Sequence, residues 1–369
     1  MLPVTYTLYF TLSLVTLLSP SYYPHNLVLY PYIQEDDTMT KQELLISHIN
    51  RLSEDEISSL LDTVTIILQD KELTPKPDCP HCAAQSVIRY GFKCKKQRFL
   101  CKNCGHTFVS TTNTIMANSH FPASVWKEMI ADTLHGNAID FSAKRLGLYH
   151  QAAFHMRHKI LIALQDLPET ADVCLGGVSE FDETFVLDCY KGKELDTGIG
   201  RKPRKHGAKA LKRGISSEYL CICTGIQRKG EAFAATVNRA KPSAKELVRI
   251  FEGHIADGTL ALCDGLRSYH ALPGIANCTV RDCVNQEGDD AHFFNLNTVN
   301  GFHSFIKKRY DFYRGVASKY INRYNALFAA TYRNAESRIS RLTETALAVT
   351  GTNYYHSNKD VRTANVLVI

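Results

Sequence analysis

The chain has 369 residues and 41.5 kDa, room for two or three domains, and its 44% apolar and 22% charged residues exclude a globally disordered polymer. Forty-three Lys and Arg against thirty-seven Asp and Glu leave +6, a weak pull toward polyanions that depends on where the charge sits. Twelve cysteines, four in two CxxC pairs and seven scattered through apolar segments from Cys174 to Cys283, exclude a secreted disulfide scaffold and fit a reducing compartment with one metal site.

Residues 1–34 carry no charged side chain. The apolar run Leu8 to Leu18 resembles the core of an export signal, but no Lys or Arg precedes it. Thr11, Ser13, Thr16 and Ser19 also interrupt it short of the roughly 18–20 apolar residues that span a bilayer. Residues 1–38 are read as an extension upstream of Met39; an irregular arm and an export signal are the other readings. The segment 39–74 follows as an amphipathic helical stretch, with apolar positions from Leu44 to Ile67 at helical spacing, ended by Pro75 and Pro77.

Between residues 75 and 110, Cys79-Pro-His-Cys82 and Cys101-Lys-Asn-Cys104 form two knuckles. Each CxxC turn sets two sulfurs on one side of a tight loop, and two such turns complete a tetrahedral thiolate cage for zinc. The runs 87–91 and 98–100 read as hairpin strands, so the unit is expected to be a zinc ribbon with structural Zn²⁺ on Cys79, Cys82, Cys101 and Cys104. Cys94, His81 and His106 are read as bystanders. From Cys79 to Lys127 the chain has seven basic residues and no acid, a surface suited to phosphate.

The segment 118–168 reads as helices broken near Gly136 and Gly147, the outline of a helix-turn-helix. Tyr149–Lys159 would then be the groove-reading element, with His150, Gln151, His155, Arg157 and His158 outward. A plain structural bundle has the same periodicity, and both readings stand here.

From 175 to 335 the pattern changes to short apolar runs at 177–189, 219–227, 232–237, 260–263 and 278–284, with helices at 244–254 and 298–334. Asp182 lies in the middle of the first run and Asp264 at the end of the fourth. Carboxylates inside buried strands are costly unless a cation holds them. Two converging across neighbouring strands would bind Mg²⁺ or Mn²⁺, the ions that hard oxygen ligands suit. Asn300 and Lys307 are two helical turns apart on one face, together with His303 and Ser304, so one helix can present a ligand and a phosphate-gripping cation. Lys308, Arg309 and Arg314 extend its positive rim. Residues 191–214 hold nine Lys or Arg, two acids and five glycines; Arg201, Lys202, Arg204 and Lys205 at its centre are expected to hold a DNA backbone. The tail, 336–369, is weakly patterned.

The combination CPHC…CKNC, FDETFV, LCDGLRSY and HFFNLNTVNGFHSFIKKRYDFYRGVASKYINRYNALF at 292–328 resembles the ISXO-like zinc-ribbon group of DDE transposases from bacterial insertion sequences. The resemblance runs from about residue 40 to 335. It implies a multidomain α+β protein: N-terminal helices, zinc ribbon, helix-turn-helix-like segment, then an RNase H-like α/β catalytic domain with a mixed sheet. It also implies catalytic and magnesium-binding roles for Asp182, Asp264 and Asn300, followed by Lys307, with no nucleotide cofactor. Asn300 stands where DDE enzymes more often carry Glu, although part of this group carries Asn. A neutral amide weakens metal affinity, and Glu183, Glu287, Asp289 or Asp290 are placed to compensate. The implied activity is cleavage and strand transfer at terminal inverted repeats, by at least a dimer on double-stranded DNA, in the cytoplasm and without a membrane. A transposase-derived DNA-binding protein without catalysis, and a zinc-ribbon nuclease, are the competing expectations.

Overall fold

The computed structural model describes residues 41–61, 64, 76–93, 96–191, 210, 213–216, 218–239, 241–284, 292–333, 336–348 and 355–363. The chain divides into two units, Met1–Pro77 and Asp78–Ile369. In the first, helix α1 spans Lys41–Ile49 and a second helical run covers 54–61. The expected single helix is divided at Ser53, whose hydroxyl and backbone N–H both engage the Glu56 carboxylate at 2.9 Å, a capping box that starts a new helix.

The second unit begins with a three-stranded antiparallel sheet, β1 (Val87–Lys93), β2 (Lys96–Cys101) and β3 (Thr107–Val109), in that order. Val87, Phe99 and Phe108 bury one face beside Cys79 and Cys101. Helices α2 (Ala123–Leu134), α3 (Ile139–Arg145) and α4 (His150–Asp166) follow, separated at Gly136 (φ +78°) and Gly147 (φ +63°), the expected breaks. Positive φ is cheap only without a Cβ, which is why the helices stop there.

Five further strands form one mixed sheet: β4 (Val178–Leu187), β5 (Tyr219–Gln227), β6 (Ala232–Thr236), β7 (Leu260–Cys263) and β8 (Thr279–Asp282). Their spatial order is β6-β5-β4-β7-β8. β4, β5 and β6 pair antiparallel, whereas β7 and β8 run parallel to β4. β5 is buried almost throughout, as a central strand covered on both sides must be. Alternation divides its side chains: Cys221 and Cys223 join Phe181 against α5 (Ala244–Phe251) and the 3₁₀ turn Arg267–Gly274. Leu220, Ile222 and Ile226 face the other side, in a core with α2, α4, α6 (Asn297–Phe312), α7 (Ile321–Thr331) and α8 (Glu336–Ala348). The segment 118–168 and the sheet therefore share one hydrophobic core.

The expected helix 298–334 is two helices. Arg314 (φ +52°) and Gly315 (φ +101°) turn the chain between α6 and α7. Among the described residues no helix is long and apolar enough to cross a membrane.

Candidate metal centres and nucleic-acid surface

β4 and β7 pair in parallel with Val178 opposite Leu260 and Glu180 opposite Leu262. Continuing that register brings Asp182 level with Asp264, immediately past the end of β7. Gly265 (φ +83°) turns the chain there, and the Asp264 Oδ1 accepts a 3.0 Å hydrogen bond from the Leu266 N–H, fixing the carboxylate at the strand end. One carboxylate oxygen from each of Asp182, Glu183 and Asp264 lies within 4.8 Å of the others.

Such crowding is costly without a cation. Burial, reinforced by the Glu183 and Asp264 charges, pushes the Asp182 carboxyl up to about 7 even though the Glu183 N–H and Lys307 favour its charged form. Glu183 is raised too, by burial first and then by Asp264, while the buried Tyr269 hydroxyl donates to its Oε2 at 3.3 Å. The donor set is hard oxygen and anionic, partly buried and mutually repulsive, and it fits Mg²⁺ or Mn²⁺.

Helix α6 crosses the same face of β4. The Thr224 hydroxyl donates to the Asp182 carbonyl at 2.8 Å, so its contact with His303 Nε2 at 2.7 Å must be donated by the ring. The neutral imidazole therefore turns its Nδ1 lone pair toward Asp182 Oδ2, 3.6 Å away. Burial and Lys307 hold His303 down at about 4. The Lys307 charge acts on both His303 and Asp182. Asn300, exposed, stands one turn before His303 on the same helix. The tertiary roles of His303 and Thr224 carry no sequence signal beyond the placement of His303 on the Asn300 face.

In the ribbon, Cys79 and Cys104 sulfurs lie 3.6 Å apart and Cys82 and Cys101 sulfurs 3.7 Å apart, and the four form one ligand group. Hydrogen bonds from the Ala84 backbone and the Asn103 amide pull the Cys82 thiol down to about 6. Donors that stabilise thiolate beside four converging sulfurs fit structural zinc. His81 and His106 stack on each other with centroids 4.6 Å apart.

The basic residues separate into groups. Arg201, Lys202, Arg204 and Lys205 lie outside the described residues. Lys308 and Arg314 are exposed. Arg309 instead packs over the Phe305 ring at 5.1 Å, with its guanidinium against Gly136. In α4, His150 and Gln151 are exposed as expected, but His155, Arg157 and His158 are buried, correcting the outward face read for that helix. Arg157 donates to the Asn137 carbonyl at 2.6 Å, and His158 lies 4.2 Å, ring to ring, from Tyr320. Their polar type suggested solvent; the shared core with α7 claims that side of the helix.

Residues 175–334 match the family described as the ISXO2-like transposase domain. The chain is 26% identical over 256 residues to an uncharacterized protein in transposable element ISH50 of Halobacterium salinarum, spanning 68% of this chain and 83% of that one. A crystal structure of a pre-cleavage Mos1 transpososome aligns over 64% of this chain and 80% of its own at 10% identity, with a TM-score of 0.20.

Proposed function

We propose that the chain, whose residues 175–334 match the ISXO2-like transposase domain, is a transposase that binds the terminal inverted repeats of an insertion sequence and performs divalent-metal-dependent DNA cleavage and strand transfer. The observation that carries this reading is the convergence of Asp182 and Asp264 at one level of the sheet with Glu183 beside them. Three antiparallel strands continued by two parallel ones support the RNase H-like fold for 175–335.

Divalent ions held by Asp182, Asp264 and the amide of Asn300 would supply Lewis-acid activation of water or a DNA 3′-hydroxyl and neutralise the leaving oxygen. The chain's own residues do the rest. Asp182 and Asp264 hold the oxygen ligands at one level, and Lys307 grips the phosphodiester from the facing helix. Thr224, which bridges the Asp182 carbonyl and the His303 ring, ties the helix to β4 beside Asp182. Lys308, Arg314 and the basic loop with Arg201, Lys202, Arg204 and Lys205 contact phosphates, with Arg309 bracing the helix behind them. The ribbon (75–110), with zinc on Cys79, Cys82, Cys101 and Cys104, and the helices of 118–168 take the inverted repeats. The active form is a homo-oligomer on double-stranded DNA, and its place is the cytoplasm.

The test is incubation of the purified chain with labelled terminal-repeat DNA and Mg²⁺ or Mn²⁺, scoring both nicked and joined products. Metal-dependent nicking and joining, absent in Asp264→Ala, is the expected result. Retention of end DNA without cleavage would leave a binding protein; nicking without joining would leave a nuclease; equal nicking by Asp264→Ala would remove the metal assignment.

A further inference from the structure

Helix α6 enters at Asn297 with Leu296 as its N-cap; Leu296 offers no capping side chain, and the Asn295 Oδ1 accepts only the first N–H, that of Asn297, at 3.1 Å. Its third N–H, that of Val299, is donated at 2.9 Å to Oε2 of Glu180, a fully buried carboxylate 119 residues earlier in the chain. The other oxygen of Glu180 takes the Arg228 Nε at 2.7 Å. Arg228 in turn donates through one Nη to the carbonyls of Phe293 and Asn295, at 2.6 and 2.9 Å. One buried acid thus closes a loop of contacts around the start of the helix, and its charge sits where the helix dipole is positive. Along β4, Glu180 is two residues before Asp182, so the two carboxylates point to the same face of the sheet.

We propose that Glu180, clamped by Arg228, is a positioning residue that sets where α6 begins on β4 and thereby holds Asn300, His303 and Lys307 over Asp182. This rests on the reading of Asp182 and α6 as the cleavage machinery. A buried charge is expensive, and a hydrophobic contact would hold a helix as firmly; a carboxylate that binds the helix N-terminus and the Arg just past the end of β5 fixes its axial position as well. Small displacements at such a site cost rate out of proportion to stability.

The test uses the full-length, zinc-loaded protein. Glu180→Gln keeps the shape and an acceptor for Val299 but loses the pairing with Arg228. Its cleavage rate should fall about tenfold or more while affinity for terminal-repeat DNA and the zinc content stay at wild-type values. In a Lys307→Ala background the same substitution should cost clearly less than it does in the wild type, because one of the groups that the helix positions is already gone. Cleavage within about twofold of wild type, or a loss that simply adds to that of Lys307→Ala, overturns the proposal. If Glu180→Gln does not fold, Arg228→Lys carries the same comparison. If the wild-type chain cleaves nothing, the functional reading falls separately, and hydrogen exchange decides the clamp. Exchange at 297–306 must then rise in Glu180→Gln without rising at 321–331; unchanged exchange ends the proposal.

Discussion

Asp182 and Asp264, far apart in the chain, reach the same level because β4 and β7 run parallel with a fixed register that ends where Asp264 begins. Neither could be moved one residue without turning its carboxylate to the opposite face of the sheet. Asp264→Asn keeps the shape and the hydrogen bond to Leu266 while removing one charge, and should lower cleavage by about 10²–10³ with end binding intact. Gel-shift and single-turnover assays on the same preparation check both halves.

The metal-free site should be sensitive to pH. Asp182 ionises near 3.8 in an unfolded chain but near 7 when folded, so the stability linked to its proton is complete at low pH and is lost as pH rises toward 7. Glu183, raised by burial, adds in the same direction. Divalent cations bind the ionised form, so Mg²⁺ uptake at pH 6 should release about one proton. Calorimetry in two buffers of different ionisation enthalpy measures it, and Asp182→Asn should reduce the release.

Replacing Asn300 by Glu adds a carboxylate at the position proposed to complete the metal site. Asn300 is exposed on the helix carrying His303 and Lys307, so the longer side chain has room. Asn300→Glu should keep or raise cleavage and lower the Mg²⁺ concentration needed for half-maximal rate. Complete loss of cleavage would mean that the amide itself is required.

Zinc removal should unfold the ribbon and leave the mixed sheet intact, because Cys79 and Cys101 are part of the ribbon's own small core and that core is separate from those on the sheet. Cys101→Ser should reduce bound zinc, release amide protection in β1–β3 and weaken terminal-repeat binding. Protection in β5 should not change.

Gly136 and Arg309 form a packing joint between the turn after α2 and helix α6. A Cβ at Gly136 would lie 2.3 Å from an Arg309 guanidinium nitrogen, on a backbone at φ +78°. Gly136→Ala should destabilise the fold by about 1–3 kcal/mol, and adding Arg309→Ala should recover the steric part but not the backbone part. Thermal unfolding of the two variants separates these contributions.

Local chemistry is legible in the sequence because it repeats at short range. The CxxC spacing defines the thiolate cage, Gly136 and Gly147 end helices, and β4 to β8 begin and end within a few residues of their apolar runs. The acids in two of those runs, Asp182 with Glu180 and Glu183 in the same strand and Asp264 at a strand end, are visible for the same reason: a charge inside a strand breaks its pattern. Tertiary packing decides the rest. Whether Arg157 and His158 face water depends on α7, whose Tyr324 and Arg323 meet them. Arg309 is taken from the positive rim by a glycine turn, and Glu180 becomes the cap of a helix 119 residues away. Periodicity records which side chains share a face; only the folded chain supplies the partner that makes a buried charge or a polar face affordable.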